Sequence, residues 1–132
     1  MDGKALMPYA VKVMENSYSP YSNFPVGAAI LMRDGKIVTG VNVENASFGA
    51  TNCAERSAIF AAISMGYKRG DITAIAVTGK TEDFLPPCCL CRQVMVELCS
   101  PEIPVYLRNG RNDIKEVSLK ELVPYAFTEL DI

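Results

Sequence analysis

Three cysteines and one glutamate hold most of the chemistry this chain can offer. Cys53 and Glu55 stand in Asn52-Cys53-Ala54-Glu55-Arg56, and Cys88 and Cys91 in Pro87-Cys88-Cys89-Leu90-Cys91. Alone, Cys88-x-x-Cys91 admits three readings: half of a zinc site, a redox dithiol, or two packed thiols acting as small hydrophobes. Cys53 alone reads as a core thiol, and Glu55 alone as a capping residue behind Asn52. Together they supply three thiolates and a carboxylate, a set able to hold a zinc ion and move protons beside it. The chain contains no histidine at all. Proton transfer therefore falls to carboxylate, Lys, Tyr or Cys, and any transition metal must lean on sulfur.

Two helices must position these groups. Asn52 is a good N-cap for a helix carrying Ala54, Ala58, Ile59, Ala61, Ala62 and Met65, closed by Gly66. A second helix begins around Cys88 and runs to about Cys99, ahead of Pro101. Both leading thiols then meet unpaired N–H groups and the positive end of a helix dipole, which favours thiolate. Three protein ligands leave a fourth tetrahedral position for water, the catalytic pattern. Cys89 adjoins two proposed ligands, and Cys99 lies roughly 12 Å from Cys91 along its helix, so a closed four-sulfur site is disfavoured. Residues two apart on an ideal helix point about 200° apart, so spacing does not explain how Cys53 and Glu55 would share a metal.

The remaining segments build a mixed sheet. Residues 5–17 read as an amphipathic helix whose firm part starts near Met7, because Pro8 belongs in a first turn. Tyr18 to Pro25 is an aromatic-rich loop. Val26–Met32 and Lys36–Glu44 read as strands around Asp34-Gly35, a hairpin signal. Asn42 and Glu44 share one strand face, where they could bind sugar hydroxyls; from spacing alone a solvated edge is the commoner reading. Ile72–Thr78, Ile103–Leu107 and Ile114–Val117 are further strands, and Ser118 to Glu121 is a capping box. The order predicts one α/β domain over residues 1–132, a mixed sheet with helices on both faces.

Composition narrows the partners. At 132 residues with a net charge of −2 and no Lys/Arg block, the chain is poorly suited to a nucleic-acid polymer and better suited to a small neutral ligand. No stretch has membrane-spanning length, and the first residues do not read as a signal peptide. Five cysteines, with Cys88, Cys89 and Cys91 crowded together, suit a reducing, cytoplasmic compartment rather than a disulfide framework.

Cys53-Ala54-Glu55 followed by Pro87-Cys88-x-x-Cys91 resembles the zinc nucleoside deaminase signature in its three-sulfur form. Tyr18-Ser19-Pro20-Tyr21-Ser22, Phe24-Pro25-Val26-Gly27-Ala28-Ala29, Asn42-Val43-Glu44-Asn45-Ala46 and Cys91-Arg92-Gln93-Val94 resemble, in order and spacing, the small homotetrameric cytidine deaminases. The resemblance extends to Phe127 and implies a three-layer α/β/α fold on a mixed five-stranded sheet. It implies hydrolytic deamination of cytidine and deoxycytidine in pyrimidine salvage, with one Zn²⁺ per chain on Cys53, Cys88 and Cys91. An activated water would be the nucleophile and Glu55 the proton shuttle. Ala54 would hold the base carbonyl through its N–H, Asn42 and Glu44 the ribose, and Phe24 would flank the base. Phe48 and Phe127 would reach a neighbouring subunit's site within a homotetramer, and Arg56 would withdraw charge from the sulfurs. The chain departs from the family at Phe48, where Tyr is common, at Cys89-Leu90 in place of small residues, and at Pro86 in place of Ser. Two other readings compete: deamination of another cytosine nucleoside such as a blasticidin-type antibiotic, and a non-catalytic zinc or thiol-redox protein.

Overall fold

The structure is a computed structural model and describes residues 1–130. Asp2 caps the first helix, α1 (Gly3–Val13), its carboxylate accepting from the Ala5 N–H at 3.1 Å. The helix thus starts earlier than Pro8 suggests and runs through that proline. Leu6, Met7 and Ala10 are buried against the sheet, and this packing outweighs one missing N–H on an exposed face.

β1 (Val26–Met32) and β2 (Ile37–Val41) pair antiparallel, with Ala29 opposite Thr39. Gly35 turns the hairpin at a φ of 90°, as Asp34-Gly35 predicts. β2 ends before the expected Glu44, because Val43 leaves the ladder and bridges Tyr18 and Asn52 instead. Then follow α2 (Ala54–Ser64), β3 (Ile72–Gly79), α3 (Cys89–Leu98), β4 (Pro104–Arg108), β5 (Ile114–Ser118) and the short α4 (Leu119–Leu122). The strand order is β2-β1-β3-β4-β5, with β3 and β4 the parallel neighbours. This is the mixed five-stranded sheet that the element order implies.

Alternation along β3 and β4 assigns the two faces. Ala74, Ala76 and Tyr106 turn toward α1, while Ile75, Val77, Val105 and Leu107 turn toward the layer with Ile59, Cys91 and Met95. Each of those larger side chains stabilises the fold by roughly 1.5–3 kcal/mol on burial. On the second face α2 lies close to the sheet through Ala54, Ala58 and Ala62, all fully buried. Gly40 permits that approach: a Cβ there would come within 2.4 Å of the Ala58 nitrogen and 2.6 Å of the Ala54 oxygen.

Topology then decides where the helices begin. β1 runs antiparallel to both β2 and β3, so β2, β3 and β4 point the same way. α2 follows β2 and α3 follows β3, so both helices start at the carboxyl edge of parallel-running strands. Such an edge is where open α/β sheets place their ligands.

Candidate metal and active site

Cys53 and Cys88 occupy equivalent places. Each is the N-cap of its helix, with extended backbone (φ −78°, ψ 158° and φ −69°, ψ 166°) and no side-chain capping bond. The expected N-cap Asn52 is displaced by one residue. Its N–H and C=O both pair with Val43 at 3.0 Å, which keeps the chain extended through Asn52 and delays the helix. This explains how Cys53 and Glu55 lie near one point: Cys53 precedes the helix, whereas Glu55 is its second residue, so the ideal-helix angle does not apply. Glu55 is consequently not the capping-box residue that its spacing from Asn52 suggests.

The three sulfurs converge. Cys53 Sγ is 3.6 Å from Cys88 Sγ, which is 3.5 Å from Cys91 Sγ, and all three lie within 4.8 Å of one another. Zinc–sulfur bonds of about 2.3 Å in a tetrahedron require sulfurs about 3.8 Å apart, so the donor set fits a zinc ion. A disulfide would need about 2.05 Å, and all five cysteines are free. Cys99 is buried with its thiol pushed up to about 12 by desolvation, and has no place in the cluster.

Charge around the sulfurs is arranged by α2. Arg56 Nη2 donates to Cys53 Sγ at 3.2 Å, and Arg56 Nε is buried without an acceptor among the described residues. The Cys53 thiol is held down to about 5, first by the Cys91 thiol facing it and then by Arg56 and Cys88. Cys91 is pushed up by the same pairing and by burial, as one proton is shared between them. Glu55 is only 4% exposed, and burial raises its carboxyl above the usual range, helped by negative charge on Cys53. A neutral acid and a carboxylate are thereby brought closer in free energy, as a proton carrier requires.

The expected substrate residues divide. Asn42 is buried and clips the loop before β1: its Oδ1 accepts from the Val26 N–H (2.9 Å) and the Ser17 hydroxyl, and its Nδ2 donates to the Phe24 carbonyl (2.8 Å). Glu44 accepts from the N–H groups of Tyr21 (2.9 Å) and Ser22 (3.0 Å) and from the Ser22 hydroxyl. Glu44 and Phe48 line one cavity of about 340 Å³ together with Tyr21, Ser22 and Thr51. Phe48 packs edge-on to Tyr21, with ring centroids 5.9 Å apart. Ala54 is fully buried at the first position of α2, where its N–H has no helical acceptor. Phe24 is 37% exposed and Phe127 62% exposed, and Phe127 does not line the cavity with Phe48. A larger cavity, about 470 Å³, lies across the sheet between α1 and Arg108, away from the thiols.

Ser17, Ser22 and Thr51 hold these segments through their hydroxyls, and hydroxyls that hold a loop have no spacing signature in a sequence. Arg92 and Gln93 follow Cys91 directly and belong to the Cys91-Arg92-Gln93-Val94 motif, but neither adjacency nor motif tells what they hold.

Comparison with known proteins agrees with this geometry. The family described as cytidine and deoxycytidylate deaminase zinc-binding region matches residues 2–107. Cytidine deaminase of Halalkalibacterium halodurans is 52% identical over 100% of this chain and 98% of its own length. The enzyme of Sporosarcina psychrophila is 46% identical over 100% and 96%. The crystal structure of cytidine deaminase from Burkholderia pseudomallei superposes with a TM-score of 0.92 at 49% identity, covering 96% of this chain and 100% of that one. With the sulfur cluster, the fold and the sequence all in agreement, this chain belongs to the zinc-dependent cytidine and deoxycytidylate deaminase family.

Proposed function

We propose that the protein hydrolyses cytidine and deoxycytidine to uridine and deoxyuridine, releasing ammonia, as a step of pyrimidine salvage in the cytoplasm. One observation carries the reading: a desolvated carboxyl, Glu55, stands beside three sulfurs spaced to hold a metal. Cys53, Cys88 and Cys91 would hold the zinc, whose chemistry when bound is to make water acidic enough to attack near neutral pH.

The chain's own groups do the rest. Glu55 takes one proton from the attacking water and passes it to N3 of the ring. It then takes the second from the hydroxyl added at C4 and passes it to the departing amino nitrogen, so that both water protons are accounted for. Its raised pKa suits both directions of transfer. The Ala54 N–H, without a helical acceptor, is available to the base carbonyl. Asn42 retains one amide hydrogen and Glu44 one side of its Oε2 beyond their loop contacts, enough to bind ribose hydroxyls. Phe24 flanks the base. Arg56 draws charge from Cys53, so that three thiolates do not overwhelm a dication.

Phe48 and Phe127 stand well exposed on the single chain, as do Phe60 and Ile63 of α2. Their apolar area supports a homotetramer in which these phenylalanines complete a neighbour's site. Light scattering should return four times 14.4 kDa; a fully active monomer would contradict shared sites.

Ammonia release across a panel of cytosine nucleosides, with zinc measured on the same sample, tests the activity. Glu55→Gln should keep its zinc and lose about 10²–10⁴-fold in turnover. Turnover unaffected by Glu55→Gln, or parent protein inert toward every cytosine nucleoside, would refute the reading.

A further inference from the structure

The C-terminal arm, residues 123–130, follows α4 with very little to hold it. Val123 donates its N–H to Leu119 O at 3.2 Å, and Val123 and Ala126 pack partly against the core. Beyond Val123, the one hydrogen bond that reaches the arm among the described residues comes from a side chain: Gln93 Nε2 donates to the Phe127 carbonyl at 2.7 Å. Next to Gln93, Arg92 Nη1 donates to Leu122 O at 3.0 Å, at the root of the arm, while its Nε donates to Pro87 O at 2.8 Å.

Both acceptors of Arg92 lack helical partners. Pro87 O lies just ahead of the N-cap Cys88, whose own carbonyl takes the first helical bond from the Arg92 N–H at 2.9 Å. Leu122 O belongs to the last residue of α4, where carbonyls have no intrahelical donor. One guanidinium therefore ties the segment leading into a metal ligand to the segment leading into the arm. Its rigid fork of donors suits two carbonyls held at fixed separation, and charge makes each bond stronger than a neutral one.

We propose that Arg92 and Gln93 are positioning residues that fix the C-terminal arm, and with it the Phe127 ring, relative to the Cys88–Cys91 turn. Cys91, Arg92 and Gln93 thus act consecutively: the first faces the other two sulfurs, the second locks the turn to the arm's root, the third holds the arm at Phe127. This rests on the reading above that Phe127 contributes to a substrate pocket. Neither side chain lines the cavity shared by Glu44 and Phe48, and both act through the placement of the arm, so the effect expected is on binding rather than on the chemical step.

The test compares Gln93→Met, Phe127→Ala and the double variant of the zinc-loaded protein, measuring kcat, KM for cytidine and zinc content. Gln93 is exposed, so its replacement leaves the core intact. Losing one hydrogen bond should raise KM by roughly 3- to 10-fold, with kcat within about twofold and zinc unchanged. Phe127→Ala should raise KM at least as much, and the double variant no further, because both changes remove the same ring from the same place. Multiplicative effects in the double variant, or an unmoved KM in Gln93→Met, would overturn the inference while leaving the proposed activity standing. An unmoved KM in Phe127→Ala would remove the pocket role of Phe127 and this inference with it. Arg92→Lys, which keeps the charge but loses the fork, should raise KM with zinc retained; a fall in kcat at constant KM would instead overturn the arm-holding role of Arg92.

Discussion

The starts of α2 and α3 are built alike and used differently. Each opens with an extended cysteine at the N-cap, and each carries an arginine about one turn later, Arg56 and Arg92. Arg56 turns inward and donates to the sulfur of its own N-cap. Arg92 turns away from the sulfurs and donates to two carbonyls, one before its helix and one at the end of α4. The first arginine sets its charge against a sulfur of the cluster; the second ties together the pieces of chain around it. Glu55 belongs to the α2 start alone, and the α3 start has Leu90 and Cys91 where a second acid could have stood. On the proposed function, one helix would supply the proton carrier and the other most of the sulfur. A helix N-terminus is a general device, and what its first turn faces decides its use.

Removing a sulfur from either start should break the comparison most completely. Cys88→Ala is expected to abolish turnover and reduce zinc from about one per chain to near zero by metal analysis, since a two-sulfur remnant is no closed site. Arg56→Gln is milder and separates the arginines. Zinc should remain, activity should fall roughly 10–100-fold, and the acidic limb of the pH–rate profile should move to higher pH. The direction follows from charge: Arg56 pulls the Glu55 carboxyl down, so removing it lets that group rise further. A profile that stays in place would detach Arg56 from the site.

Gly40→Ala attacks the placement of α2 without touching either arginine. The added methyl meets backbone atoms of Ala54 and Ala58, and should cost about 1–3 kcal/mol in denaturant unfolding, with activity falling as Cys53 shifts from Cys88. Wild-type stability in that variant would mean that α2 has room to move over β2. Smallest of all is Lys120→Ala beside α4. Its pair with Glu102, at 3.2 Å, is exposed on both sides, so stability should change by no more than about 0.5 kcal/mol. A larger loss would show that α4, to whose last carbonyl Arg92 is tied, depends on more than Arg92 and its core packing.

Local chemistry explains which parts of this were readable in advance. Asp34-Gly35 requires a turn, β1 and β3 are short apolar runs of strand length, and Ser118 with Glu121 forms the capping box. Each depends on neighbours within a few positions. Pro8 misled because burial of Leu6, Met7 and Ala10 on a distant sheet overrode a local preference. Asn52 misled for a similar reason: a bridge to Val43 held it extended, and no local pattern announces a bridge. Asn42 and Glu44 are polar residues near a strand end in the sequence, yet their principal partners are Ser17, Tyr21, Ser22 and Phe24 of the segment ahead of β1 and Val26, the first residue of that strand.

The amino-acid sequence by itself determined the inventory: no imidazole, three ligand sulfurs, one acid near the first of them, and the helices and strands that carry them. It determined this because residue type and short-range spacing are properties of the chain alone. Only the tertiary structure decided that Cys53, Cys88 and Cys91 meet, since β2, β3 and β4 had to run the same way for two helices to begin at one edge. Only it decided that Arg56 faces sulfur while Arg92 faces carbonyls. Directions and distances between remote segments are set by packing, which no single stretch of sequence contains.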